Sequence, residues 1–133
     1  MKSVIISGKR KTSVARVRMV EGTGKVIYNN NPISELRWLH RLALNEPIAI
    51  AKQVLGDFKF DIYIKATSGG KESQIQAARL GIAKAIVKLS NSTELKKTYL
   101  TYDRHMLIAD TRRKEAYKPG DSKARSKRQK SYR

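Results

Sequence analysis

The sequence predicts an α+β domain whose sheet is covered on one face, followed by a basic tail. Residues 12–20 and 58–66 alternate apolar and polar side chains, as half-buried strands do. Apolar residues recur at helical spacing across 33–55 and again across 72–89. Because one face of each clear strand is polar, we expect a sheet covered on one side only, which favours an antiparallel or mixed sheet.

Four strands are predicted. Residues 3–8 form the first, closed by Gly8, and a turn at Lys9-Arg10-Lys11 leads into the second, 12–20. The second strand presents one apolar face, formed by Ser13, Ala15, Val17 and Met19. Residues 21–24 contain two glycines and are typical of a hairpin connection into the third strand, 25–28. In the fourth, 58–66, Phe60, Ile62, Ile64 and Ala66 share one face.

Pairing of the first two strands would bring five cations to one rim: Lys9, Arg10, Lys11, Arg16 and Arg18. Charges on edge strands that discourage aggregation explain one or two of them. Five in a chain this basic favour a phosphate-binding rim.

Two helices are predicted between the third and fourth strands. Asn31 and Pro32 suit the cap and first position of one helix, and Asn45-Glu46-Pro47 is expected to end it and begin the next. Gly56 is expected to end the second. Trp38 could stack on a base, but a lone tryptophan more often packs in a core or between subdomains. His40 has no partner at metal-ligand spacing, so both residues are interpreted as structural.

Gly69, Gly70 and Lys71 lie between the fourth strand and the longest predicted helix, 72–89. Free N–H groups at a helix N-terminus beside a lysine can hold a phosphate. The spacing matches neither a Walker loop nor a dinucleotide fingerprint, and tight-turn glycines explain it equally. The strong positive charge favours a ribose-phosphate backbone over a nucleotide.

Charge is the dominant property of the chain. Its 133 residues carry a net charge of +18, and residues 112–133 contribute +8 through ten basic and two acidic side chains. This tail has too few apolar residues to fold alone, so we expect it to be disordered in the free protein. A solubilising tail is the simpler alternative, but the density of cations with interleaved tyrosines favours RNA.

Other classes of protein fit less well. The chain has no cysteine and only two histidines, and its carboxylates do not cluster, so no catalytic or metal site can be proposed. The absence of cysteine fits a reducing cytoplasm, and the apolar run at the N-terminus is too short for a signal peptide. A DNA-compacting protein would share the charge and remains an alternative. A basic protein of membrane surfaces would need an amphipathic helix that the sequence lacks.

Motifs spread over nearly the whole chain, from G-K-R-K-T-S-V-A-R-V at residues 8–17 to Q-K-S-Y-R at residues 129–133, resemble those of the universal small-subunit ribosomal protein nine family. The resemblance continues in the glycine pair and helix of residues 69–85. It is strongest in L-T-Y-D-R (100–104), R-R-K-E (112–115), K-A-R (123–125) and the ending Q-K-S-Y-R (129–133), which is similar to archaeal and eukaryotic members. Ser68 stands where many members have glycine.

This resemblance implies a ribosomal S5 domain 2-like fold, with a mostly antiparallel four-stranded sheet backed by helices on one face. It also implies a non-enzymatic place in the head of the small subunit, without cofactors. It implies ribosomal RNA and neighbouring ribosomal proteins as partners, and a tail whose end approaches the anticodon stem-loop of peptidyl-site tRNA. The residues expected to bind ribosomal RNA are Lys9, Arg10, Lys11, Arg16, Arg18, Gly69, Gly70, Lys71, Arg104, Arg112, Arg113, Lys114, Lys123 and Arg125. Those expected to bind tRNA are Lys127, Arg128, Lys130, Tyr132 and Arg133.

Overall fold

A sheet of five strands, covered on one face by helices, organises the part of the chain that the computed structural model describes, residues 3–119 and 123–125. The strands are β1 (Ser3–Arg10), β2 (Ser13–Glu21), β3 (Val26–Tyr28), β4 (Asn31–Pro32) and β5 (Phe60–Thr67). The α-helices are α1 (Trp38–Leu55), α2 (Lys71–Ser90) and α3 (Thr93–Tyr102). Single turns of 3₁₀-helix occupy Ile33–Glu35 and Arg104–Met106.

The strand order is β1-β2-β5-β3-β4, and the sheet is mixed because β3 runs parallel to β5 while the other pairs are antiparallel. The α+β class is confirmed, but the predicted number of four strands was wrong. The predicted hairpin between β2 and β3 was also wrong, because β5 lies between them. The chain instead crosses the end of β5, where Gly22 N donates to Lys59 O at 3.1 Å and Ile62 N donates to Lys25 O at 2.8 Å.

Asp61 fixes this crossing. Its Oδ1 accepts the backbone N–H groups of Thr23, Gly24 and Lys25 at 2.8–2.9 Å. These hydrogen bonds, that from Lys25 first, hold the pKa of Asp61 below its usual value. Asp61 therefore anchors the loop of residues 23–25 to β5.

The turn between β1 and β2 is shorter than predicted. Both strands extend to the pair Arg10 and Ser13, so Lys9 and Arg10 belong to β1 and only Lys11 and Thr12 form the turn. Lys11 takes a left-handed conformation, with φ of 52°. Further along the chain, the predicted helix start at Asn31 and Pro32 was wrong, because these residues pair with β3 and α1 begins at Trp38.

Helix α1 continues through Pro47, where the sequence predicted a break. A proline inside a helix removes one backbone hydrogen bond. Packing outweighs this loss, because Leu44, Pro47, Ile48 and Ala51 form one buried stripe and the Tyr99 hydroxyl donates to Pro47 O at 2.6 Å. The helix ends at Gly56, as predicted.

The core lies between the sheet and the helices. The predicted inward faces of β2 and β5 are buried at Ala15, Val17, Met19, Ile62, Ile64 and Ala66. Helix α2 packs across β1 and β2. Its apolar residues from Ile75 to Ile86, which the helical spacing placed on one face, are buried. The other face of the sheet carries no helix within the described residues, so its side chains face outward.

The two residues interpreted as structural differ. His40 is buried and its Nε2 lies 2.6 Å from Glu72 Oε1, at the start of α2. Trp38 is 63% exposed, so it is not part of the core. Of the helices that the structure describes, none is long and apolar enough to cross a membrane.

Candidate nucleic-acid interface

The first predicted phosphate-binding segment, the β1–β2 turn, is divided between two faces of the sheet. Lys9 and Lys11 are exposed, but Arg10 turns toward the helices. Its Nε donates to Gln76 Oε1 on α2 at 2.8 Å, and its Nη2 lies 3.3 Å from Asp110 Oδ2. Arg10 is therefore a link between the sheet, α2 and the start of the tail, while Lys9 and Lys11 are available to a ligand.

The second segment, the loop before α2, lies against that turn. Ser68 and Gly69 both have left-handed backbones, with φ of 62° and 65°, a conformation that favours glycine over residues with side chains. Ser13 Oγ and Gln74 Nε2 each donate to Ser68 O at 3.0 Å. A Cβ at Gly69 would collide with Ser13, so the loop and the start of β2 are in close contact.

Helix α2 begins immediately after this loop with its first amides open. Gly70 is the N-cap and supplies no side chain, and the first intrahelical bond runs from Gln74 N to Gly70 O at 3.0 Å. The N–H groups of the first turn therefore point outward beside Lys71, with the positive end of the helix dipole behind them. This arrangement suits an anionic oxygen.

The third segment, the beginning of the tail, is fixed by Asp110. Its carboxylate accepts the backbone N–H of Arg112 at 3.0 Å and the Arg112 Nη2 group at 2.7 Å, and it also faces Arg10. The Arg112 side chain, the Arg112 amide and the charge of Arg10 together lower the pKa of Asp110 well below its usual range. A groove runs between the turn and the tail, lined by Arg10, Lys11, Thr12, Arg112, Arg113 and Lys114.

Three segments that are far apart in sequence thus meet at one end of the molecule. We call this surface the basic end and define it by Lys9, Lys11, Gly69, Gly70, Lys71, Arg112, Arg113 and Lys114. Asp110 is a residue of this region that sequence reasoning missed. A single acid in a basic stretch gives no sequence signal, because its partner Arg10 is a hundred residues away.

A second ion-pair cluster sets the direction in which the chain enters the tail. Arg79 on α2 donates from Nε to Glu46 Oε2 at 2.6 Å and from Nη1 to Asp103 Oδ2 at 2.9 Å. Asp103 Oδ1 also accepts the backbone N–H of His105 at 2.9 Å. Although burial raises the pKa of Asp103, these hydrogen bonds lower it overall. The cluster joins α1, α2 and the end of α3.

Arg16 and Arg18 lie on the open face of the sheet, away from the groove. Arg16 is paired across strands with Ser7 and Lys65, and Arg18 with Ile5 and Tyr63. Lys65 and Tyr63 are further candidate residues that the sequence analysis did not assign to a site. Alternation placed them on the polar face of their strand, but only the register of β2 with β5 puts them beside the arginines.

The other predicted binding residues are spread along the remaining chain. Arg104 is exposed in the last 3₁₀ turn. Lys114 Nζ lies 2.8 Å from the Tyr117 hydroxyl, and Arg125 Nε donates to Glu115 Oε2 at 3.1 Å, while Lys123 is also among the described residues. The residues predicted to bind tRNA lie outside the described residues: Lys127, Arg128, Lys130, Tyr132 and Arg133.

The described ranges hold no group of three histidine, cysteine or acidic side chains that could bind a metal ion. What they hold is a surface of cations, open helix amides and an uncovered sheet face. Fold and surface together define a small basic α+β domain with an attached cationic tail.

Comparison with known proteins assigns this domain to a family. The family model described as ribosomal protein S9/S16 matches residues 8–133. The protein named small ribosomal subunit protein uS9 of Methanococcus vannielii is 41% identical over 137 aligned positions, covering 100% of both chains. The protein of the same name from a strain of Methanococcus maripaludis is 42% identical with the same coverage.

The chain belongs to the ribosomal protein S9 family. The resemblance found in the sequence motifs is confirmed, and so is the expectation that the protein is not an enzyme, since this family consists of structural proteins of the ribosome.

Proposed function

We propose that this protein is a structural constituent of the small ribosomal subunit, and that it binds ribosomal RNA in the subunit head through the basic end. The proposal rests on one observation: the β1–β2 turn, the loop before α2 and the beginning of the tail lie together at one surface. Ser13, Gln74 and Asp110 hold these segments together. A surface fixed in this way can position a phosphate backbone without reading its sequence.

Charge and geometry support RNA as the ligand. Lys9, Lys11 and Arg113 are exposed, and none takes part in an ion pair among the described residues. Open amides at the start of α2 add donors for a phosphate oxygen. Neutralising phosphates releases counterions, so binding through this surface must weaken as salt increases.

The tail extends the same function. It leaves the basic end at Arg112, and residues 112–133 carry +8. We propose that its first part binds ribosomal RNA and that its last residues approach the anticodon stem-loop of peptidyl-site tRNA. Lysine and arginine suit crowded phosphates, and Tyr132 offers a ring that can stack on a nucleotide. Neighbouring ribosomal proteins of the head are the other proposed partners, and the cytoplasm the proposed location.

The test is binding of the full chain to transcribed head-domain RNA across a salt series. Replacing Lys9, Lys11 and Arg113 with glutamine should weaken binding and reduce the slope of log K against log salt by roughly 0.7–0.9 for each phosphate no longer neutralised. The matched control replaces Lys52, Lys88 and Lys97, exposed helix lysines away from the basic end, and removes the same charge. Equal slopes for the two variants would contradict the proposal. Duplex DNA at the same phosphate concentration should bind more weakly than the head-domain RNA; tighter binding of DNA would favour the alternative of a DNA-compacting protein.

A further inference from the structure

The uncovered face of the sheet combines cations with exposed apolar side chains in a regular array. One row across the strands reads Ile5, Arg18, Tyr63, Ile27, and the next reads Ser7, Arg16, Lys65. Ile5 is 68% exposed and Tyr63 is 42% exposed. A shallow groove on this face is lined by Ile5, Arg16, Arg18, Ile27, Tyr63 and Lys65.

The positive charge of this open face is not compensated. Among the described residues, Arg16, Arg18 and Lys65 take part in none of the ion pairs. The only carboxylate that the described strands place on this face is Asp61, and it is occupied by the loop amides of residues 23–25. Arg16 lies directly opposite Lys65. Like charges at such a position destabilise a sheet unless an anion lies between them.

Protection of sheet edges does not explain these cations. Charges on edge strands discourage aggregation, but β2 and β5 are interior strands in the order β1-β2-β5-β3-β4. Nor do the cations cover the apolar residues, since Ile5 and Tyr63 remain exposed beside them. The array has the composition of a site that binds a ligand with anionic and flat apolar parts.

Resting on the proposed function, we infer that the open face binds an unpaired segment of RNA. A base stacks on the ring of Tyr63 beside Ile5, and Arg16, Arg18 and Lys65 contact the phosphates on either side. The row from Ile5 to Ile27 crosses four strands, roughly 14 Å at about 4.8 Å per strand spacing. Sheets of similar width in other RNA-binding domains accept two or three unstacked bases. Paired RNA presents only its backbone to a flat surface and would leave Tyr63 unused.

The chemistry separates this face from the basic end. The basic end offers cations and helix amides without an exposed aromatic ring among its defining residues, so it suits backbone alone. The open face adds Tyr63, whose contribution to binding is stacking and does not depend on salt. Substitution of this tyrosine should therefore lower the affinity without changing its salt dependence, whereas removal of a phosphate-binding cation changes both.

The experiment uses the full chain with an eight-nucleotide single-stranded RNA, and with a blunt-ended RNA duplex that has no unpaired nucleotides. Tyr63→Ala should weaken binding of the single strand roughly 5- to 100-fold, as loss of one stacked base does, with an unchanged salt slope. Tyr63→Phe should retain binding, and binding of the duplex should be affected little by either change. Trp38→Ala is the matched control, an exposed aromatic residue on α1 whose loss should leave binding unchanged. Thermal unfolding of each variant establishes that the fold is intact.

Direct contact is tested by a 4-thiouridine in the same strand, which on irradiation should crosslink to the peptide that contains Tyr63. The inference would be overturned if the crosslinks reached only the tail, or if Tyr63→Ala bound the single strand as tightly as the unsubstituted chain does. Neither result would contradict the binding of head-domain RNA by the basic end. If Tyr63→Ala binds both RNAs normally but enters small subunits poorly, the face contacts a protein and the inference is also overturned. If the unsubstituted chain fails to bind head-domain RNA, the proposed function itself falls.

Discussion

Gly8 lies in close contact with helix α2. A Cβ at this position would stand 2.8 Å from Gly81 N on α2 and closer still to Ala77 O. Gly81 faces β2 in the same way, since a Cβ there would lie 2.6 Å from Val17 Cγ2. These two glycines let α2 lie directly on β1 and β2, which brings the start of α2 beside the β1–β2 turn.

Gly8→Ala should therefore destabilise the protein by about 1–3 kcal/mol, the usual cost of forcing a group into a packed core, or by more if the backbone cannot move. Gly70→Ala is the control, because a methyl group at this position would have nothing within 4 Å and the φ of −90° is open to alanine. Chemical denaturation of both variants measures the difference. If Gly8→Ala and Gly70→Ala were equally stable, α2 would not pack against β1 at Gly8.

At the scale of elements, Arg79 joins the three helices. Its guanidinium pairs with Glu46 of α1 and with Asp103 at the end of α3, and its side chain is only 18% exposed. The Tyr102 hydroxyl also donates to Glu46 Oε1 at 2.5 Å. Removing the arginine would leave two partly buried carboxylates without their cation, which costs more than the loss of an exposed pair.

We expect Arg79→Met to lower the free energy of unfolding by about 2 kcal/mol at neutral pH, in the range of hydrogen bonds to charged groups. Lys88→Met, an exposed cation on the same helix, should change it little. Because the folded state lowers the pKa of Asp103 below 3.8, its contribution is present above that pH and is lost as the pH falls through the folded pKa. The gap between the variant and the unsubstituted protein should therefore narrow below about pH 4; a constant gap would mean that packing of Arg79 matters more than its charge.

For the whole molecule, the globular part is proposed to anchor and the tail end to reach tRNA. Deleting residues 126–133 removes Lys127, Arg128, Lys130 and Arg133, so the net charge falls by four from +18 to +14. Subunit assembly should survive, because the basic end is untouched. Truncated subunits should release peptidyl-site tRNA faster at low salt, and the difference should shrink at high salt as phosphate contacts are screened. Unchanged release would limit the tail to assembly, and failure to assemble would show that the globular part cannot hold its place alone.

The spacing of apolar residues in the sequence predicted which faces of the strands and helices are buried. Alternation predicted the faces of β2 and β5, and helical periodicity predicted the buried stripe of α2. Contacts between distant segments could not be predicted in this way. Nothing in the sequence indicates that β5 enters between β2 and β3, so the hairpin and the strand count were wrong, and the row that joins Arg16 to Lys65 was missed.

The same limit applies to the candidate site. The cations of the turn and tail and the glycines before α2 were each visible in the sequence, yet their meeting at one end depends on Ser13, Gln74 and Asp110. Arg10 looked like its neighbours Lys9 and Lys11, but strand alternation turns it toward α2. Pro47 was expected to break a helix because a proline removes a backbone hydrogen bond. The packing that offsets this loss involves residues distant in sequence, so it could not be predicted from the sequence around Pro47.

Directed hydroxyl-radical probing tests the central claim, that the β1–β2 turn, the loop before α2 and the beginning of the tail bind one stretch of ribosomal RNA. The chain has no cysteine, so a tethered iron chelate can be attached to single cysteines introduced as Thr12→Cys, Ser68→Cys and Thr111→Cys, all exposed. Lys88→Cys is the control, roughly 25 Å from the start of α2 at about 1.5 Å per residue. In reconstituted small subunits, the three positions should cleave overlapping nucleotides of the head RNA, and the control should cleave elsewhere or not at all. Three separate cleavage patterns, or none, would contradict the claim.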